Sequence, residues 1–96
     1  MAAYLIFDVD IHDMTEYGKF MAGVKPAIEA AGGKYLVRGG AHKVYEGDWQ
    51  PTRLVVIEFP SVQAADDFYN GPVYAELKPV RLASSTTRGG VIVEGV

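Results

Sequence analysis

The chain contains no cysteine among its 96 residues. That removes disulfide frameworks, thiolate nucleophiles and cysteine-held metals at once, and it agrees with a reducing compartment. Histidine is almost as scarce. His12 and His42 stand far apart, with no carboxylate or thiolate at metal-ligand spacing, so no metal or other cofactor is expected. No apolar run is long enough to span a bilayer, and membrane partners are not expected. The opening Met1-Ala2-Ala3-Tyr4-Leu5-Ile6-Phe7-Asp8 has no basic leader and meets an acid early, so the expected location is the cytoplasm. Positive charge is also in deficit. Nine Lys and Arg face twelve Asp and Glu, for a net charge of -3 and a pI near 5.2. With no basic stripe to displace counterions, nucleic acid is not an expected partner.

What is present is a globular balance, 49% hydrophobic and 22% charged, which fits one folded domain over residues 1–96. A chain this short buries a modest core, so association would help it.

Hydrophobic periodicity divides the chain into alternating elements. Ala3 to Ile11 reads as a strand with Ala3, Leu5, Phe7 and Val9 on one face and Tyr4, Ile6, Asp8 and Asp10 on the other. Asp13 is placed to cap a helix, with Glu16 as the return arm of a capping box. Tyr17, Phe20, Met21, Val24, Ile28 and Ala31 follow at helical spacing. Pro26 interrupts that pattern and Gly32-Gly33 ends it. Lys34 to Arg38 is a second strand, broken at Gly39-Gly40. His42 to Glu46 is read as its extended continuation into the hairpin turn Gly47-Asp48-Trp49-Gln50-Pro51. Arg53 to Phe59 returns as the most apolar strand. Ser61 caps a helix through Asn70, Gly71-Pro72 restarts one through about Leu82, and Thr86 to Glu94 is the last strand.

The order β-α-β-β-α-β predicts an α+β, ferredoxin-like fold: a four-stranded antiparallel sheet with helices on one face. Helices cover only one side of such a sheet. The other is expected to carry Tyr4, Ile6, Leu36, Leu54, Val56 and Ile92, too apolar for water, so a homodimer packed face to face around a shared cavity is expected.

Three segments carry a family resemblance: Gly32-Gly33-Lys34-Tyr35-Leu36-Val37-Arg38-Gly39-Gly40, Glu46 through Ser61 with its Gly47-Asp48-Trp49, and Phe68-Tyr69-Asn70-Gly71-Pro72-Val73-Tyr74. With the terminal Val93-Glu94-Gly95, the chain resembles the domain of unknown function 1330 family over nearly its whole length. The resemblance implies a dimeric α+β barrel, in a superfamily that includes heme-free monooxygenases, muconolactone isomerases and ligand-sensing domains. It implies no particular activity, because the fold hosts many.

The residues themselves offer candidates. Asp8 and Glu58 share the expected enclosed face with Tyr4, Ile6 and Val56, and a carboxylate in an apolar pocket is how a general base is built. Arg38, expected on the face of Leu36, would pair with one of them or clamp an anion. The competing reading is a structural ion pair at the sheet end. His42 is the better placed histidine for proton transfer, against a plain surface position. Trp49 would cover a pocket mouth, the partner subunit or its own hairpin. Tyr69, Tyr74 and Arg81 would edge the cavity, or else pack as core. Ser84, Ser85, Thr86 and Thr87 show no triad spacing, and Gly89-Gly90 lacks the context of a phosphate cradle.

The expected catalytic set is therefore Asp8, Arg38, His42 and Glu58, with Tyr4, Ile6, Leu36, Trp49, Tyr69, Tyr74 and Arg81 binding a small organic ligand. Three readings stay open: a small cofactor-free enzyme, a ligand-binding module, and a structural dimer with a filled interior. A strand apolar on both sides does not fix its own facing. If the facing is reversed, the side that holds Tyr35 and Arg53 lines the site instead.

Overall fold

The computed structural model describes residues Met1–Val96. In chain order the elements are β1 (Ala3–Ile11), α1 (Met14–Ala30), β2 (Lys34–Arg38), β3 (Leu54–Phe59), α2 (Val62–Tyr69), α3 (Pro72–Ser84) and β4 (Ser85–Glu94). The sheet order is β2-β3-β1-β4 with every neighbour antiparallel. This is the expected βαββαβ arrangement, its helices laid on one face. It is not the expected barrel. The sheet is open, with β2 and β4 as its two edges, and closure takes about eight strands where this chain has four.

Local signals account for the element ends. The Asp13 carboxylate accepts the Glu16 N–H at 3.1 Å, and the left-handed Gly32 (φ 85°) follows the last turn of α1. The return arm of the capping box does not form. Glu16 turns outward to Lys19 at 2.8 Å, because the Asp13 N–H is already taken by the Ser84 carbonyl at 3.1 Å. Ser61 caps α2 through the Ala64 N–H at 3.0 Å, and Pro72 opens α3 where its missing N–H costs nothing.

The core lies between helices and sheet. Leu5 and Val9 of β1 and Val55, Ile57 and Phe59 of β3 meet Tyr17, Phe20, Val24 and Ile28 of α1, with Phe68 and Tyr74 closing the far side. Each such side chain contributes about 1.5–3 kcal/mol on burial.

Three expectations about strand facing and extent are corrected. The stretch Gly39–Arg53 is an exposed irregular loop, not a hairpin built on an extended His42–Glu46. Gly39, at φ 73°, swings the chain away where its N–H is tied to the Leu54 carbonyl at 2.8 Å, and the residues beyond have no strand to pair with. Register slips between Tyr35 and Val37, so that Tyr35 faces Ile57 and Arg38 faces Val55. This bulge leaves Leu36 exposed and sends Arg38 to the helix side, opposite to the expectation. Ile92 pairs with Leu5, and so it too lies on the helix side and not on the open face.

Candidate functional site

Alternation in β3 aims Val55, Ile57 and Phe59 at the helices, and Arg53, one step before the strand, continues that series. Tyr35 faces Ile57 on the same side, and the bulge after it adds Arg38. From α3, Tyr74 and Arg81 come seven residues apart on its buried stripe, while α1 presents Tyr17, Phe20, Met21 and Val24. Between them lies a cavity lined by 16 residues, 13 of them hydrophobic. Its enclosed volume is ≈ 30 Å³, and ≈ 470 Å³ is reached only when the space open to solvent at the mouth is counted. The interior is narrow, with room for about two waters, so an organic molecule enters by opening it further.

The polar groups in this cavity are three arginines and three phenols. Arg38 and Arg53 stand at the mouth, where a surface groove bounded by Met21, Lys25 and Glu29 opens outward. Their guanidinium carbons lie 5.0 Å from the Tyr35 ring and 5.7 Å from the Tyr17 ring, within cation–π range. Arg81 lies deeper and is 4% exposed. It donates to the Thr87 hydroxyl and sits 5.1 Å from the Phe7 ring centroid, while its Nε–H has no partner. The end of α3 that carries Arg81 is tied down by Ser84 Oγ to the Val80 carbonyl (2.6 Å) and Ser85 Oγ to the Arg81 carbonyl (2.5 Å). Those serines therefore do backbone work.

Burial raises the phenols of Tyr17, Tyr35 and Tyr74 above their ordinary range, although the arginine charges pull the other way. All three are neutral hydrogen-bonding groups at neutral pH.

The expected site residues do not meet in one place. Arg38, Tyr74 and Arg81 line the cavity, and Tyr69 flanks a side groove that Arg81 also borders. Tyr4 and Ile6 lie on the open sheet face, across from Glu58 and Val56, and Leu36 is solvent-exposed. Glu58 faces Lys34 at 3.6 Å, and His42 is in the exposed loop. Asp8 is only 3% exposed because that loop folds over it. Its carboxylate accepts Trp49 Nε1–H at 2.9 Å and the backbone N–H groups of Thr52 (2.9 Å) and Arg53 (3.3 Å). Burial pushes the Asp8 carboxyl up, but those bonds and the Arg88 charge outweigh it and leave it below its ordinary value. Asp8 is thus a loop anchor, and Arg38, on the opposite side of the sheet, is not its counter-ion.

Tyr17 was outside the expected set, and Tyr35 and Arg53 belonged to the lining expected only for the reversed facing. The signal for Arg53 was its alternation with Val55 and Ile57, and the signal for Tyr17 was its place on the buried helix stripe. The signal for Tyr35 was alternation from Lys34, since it pairs with Ile57 ahead of the bulge.

Fold and cavity together define a small ferredoxin-like domain with a pocket between its helices and its sheet. The chain belongs to the DUF1330 family, a domain of unknown function, whose model matches residues 2–96. Among solved structures it is similar to a protein of unknown function from Rhodopseudomonas palustris, at 19% identity and TM-score 0.76, covering 99% of this chain and 82% of that one. A methylated form of that protein gives TM-score 0.78 at 19% identity, covering 99% and 81%. It is also similar to SnoaB, a cofactor-independent oxygenase from Streptomyces nogalater, at 12% identity and TM-score 0.66, covering 99% and 93%. At these identities the likeness is one of fold. A search of curated proteins finds no match.

Proposed function

We propose that this protein binds a small organic molecule in the cavity between its helices and its sheet, and that it does so as a homodimer. The observation that carries the binding reading is the cavity itself: an apolar, aromatic-rich lining with a few convergent polar groups. Its polar groups are cations and neutral phenols, which hold and polarise a ligand. No carboxylate or imidazole reaches the lining to take a proton. Binding is the role proposed, and any reaction would draw on polarisation of the bound molecule by the arginines or on the phenols as proton donors.

The dimer reading is supported by the uncovered sheet face. Val37, Val91 and Val93 are exposed there, beside Tyr4, Ile6, Leu54 and Val56 in register across the strands. A two-fold related copy would cover this self-complementary patch. Sedimentation at micromolar concentration should give twice the chain mass, and Val93→Glu should give the monomer; a monomeric wild type would rule the dimer out.

Binding is tested by ligand-observed NMR with neutral and charged aromatic probes, compared between wild type and the cavity-filling Val24→Phe. Saturation transfer to at least one probe class, lost in the folded variant, is the expected result. No transfer to any probe would remove the small-molecule reading.

A further inference from the structure

The chain is acidic overall, yet three of its nine basic residues line one cavity that holds no Asp, Glu or His. The ion pairs of the molecule lie elsewhere: Lys19 with Glu16, Lys25 with Glu29 and Lys34 with Glu58. None of them uses an arginine. Glu29, the one acid on the groove outside the mouth, is already engaged by Lys25 at 2.8 Å. The only side-chain acceptor bonded to Arg53 is the Met21 sulfur, at 3.8 Å from Nη2.

Arg81 is the sharpest case. A buried cation is expected to be paired, because removing it from water is costly and nothing but an opposite charge with good geometry offsets that cost. Here the guanidinium has only neutral partners, the Thr87 hydroxyl, the Tyr74 phenol and the Phe7 ring, and a buried Nε–H with no acceptor. A guanidinium edge presents two parallel N–H groups that match the two oxygens of a carboxylate. The cavity that Arg81 lines is also lined by the flat rings of Phe7, Phe20, Phe68 and Tyr74.

Resting on the small-molecule reading of this cavity, we infer that its ligand is a small planar organic carboxylate. Its anionic group lies on Arg81 and its flat apolar body packs among the aromatic rings. Arg38 and Arg53 draw the anion to the mouth through their unpaired charge. A strongly hydrated inorganic anion does not suit an interior that is mostly hydrocarbon. A neutral aromatic leaves the Arg81 charge unanswered.

The test uses the full-length protein and four probes: benzoate, 2-naphthoate, the uncharged benzamide, and inorganic phosphate. Nitrogen-detected spectra of the arginine Nε–H groups follow Arg81 directly in the wild type. The Arg81 resonance should move on addition of benzoate or 2-naphthoate and stay in place with benzamide. By calorimetry, the carboxylates should bind at least tenfold more tightly than benzamide. Arg81→Met should remove that preference while retaining benzamide affinity, and Arg81→Lys should restore part of it. Raised salt should weaken carboxylate binding, less so in Arg38→Ala/Arg53→Ala.

Equal binding of benzoate and benzamide, with Arg81 unmoved, would overturn the carboxylate assignment and leave the cavity reading standing. Phosphate that binds as tightly as the carboxylates and shifts the same resonance would overturn it in favour of a general anion site. If none of the probes perturbs the cavity, both readings fall together. Since Arg81→Met also removes an unpaired buried charge, its melting temperature without ligand should equal or exceed that of the wild type; a clear drop would show that Arg81 is a structural residue and overturn the inference.

Discussion

Asp8 and Trp49, on β1 and in the long loop before β3, are joined by a 2.9 Å hydrogen bond from the indole Nε1–H to the carboxylate. The indole stays 60% exposed, so the contact is a clasp at one edge of the ring. With the Thr52 and Arg53 amides on the other carboxylate oxygen, it gathers the end of a loop that otherwise has no partner strand. The same clasp fixes the backbone of Arg53, whose side chain reaches the cavity mouth on the opposite side of the sheet.

Removing the acceptor should therefore loosen the loop and unsettle the mouth. Asp8→Asn is expected to cost about 1–3 kcal/mol, since it leaves the part-buried amides of Thr52 and Arg53 with a poorer, uncharged acceptor. Trp49→Phe should cost about 1 kcal/mol for its single bond. In a double-mutant cycle by chemical denaturation the two changes should add to less than their sum. Strict additivity would mean that the bond contributes nothing.

Acid should act on the same group. A carboxyl held below its ordinary 3.8 in the folded protein contributes stability that is present in full above that value and is lost as pH falls through its folded value. Unfolding free energy measured between pH 5 and pH 2 should fall less steeply in Asp8→Asn than in the wild type. Parallel curves would contradict the assignment.

Alkali should act on the phenols. Tyr17, Tyr35 and Tyr74 are raised above 10.0, so their contribution is complete below pH 10 and is lost as pH rises through their folded values. Absorbance at the phenolate band should show Tyr17, Tyr35 and Tyr74 ionising only above pH 10, together with unfolding.

The glycines of β4 should separate packing from backbone effects. A Cβ on Gly90 would stand 2.6 Å from the Phe7 ring, while one on Gly89 would meet nothing within 4 Å. Replacing a strand glycine by alanine gains about 0.5–1 kcal/mol, but overpacking costs about 1–3 kcal/mol. Gly90→Ala should thus lower the melting temperature, by about 4–8 °C per kcal/mol for a domain of this size. Gly89→Ala should leave it unchanged or raise it. Because Phe7 supports Arg81, Gly90→Ala should also weaken ligand binding.

Element order, helix caps and core were legible in the chain because each rests on local rules: alternation along β1 and β3, helical spacing from Tyr17 to Ile28, and Asp13, Gly32, Ser61 and Pro72 at the helix ends. The site was less legible. Asp8 read as a candidate base because a strand acid among apolar neighbours looks the same whether a ligand or a loop satisfies it. Arg38 was assigned the wrong side because one bulge residue inverts the facing of everything after it, and nothing in Lys34-Tyr35-Leu36-Val37-Arg38 announces the slip.

The sequence alone therefore determined a ferredoxin-like order of elements, an acidic charge and a hydrophobic strand near the middle of the sheet, since those properties follow from composition and period. Only the tertiary structure decided that the sheet stays open and that Asp8 clasps a loop. It also decided that Tyr17, Tyr35, Arg38, Arg53, Tyr74 and Arg81 share a single cavity. Those groups come from α1, β2, α3 and the loop before β3, and their meeting depends on strand register and helix rotation, which are set by packing across the whole core and not by any neighbour in the chain.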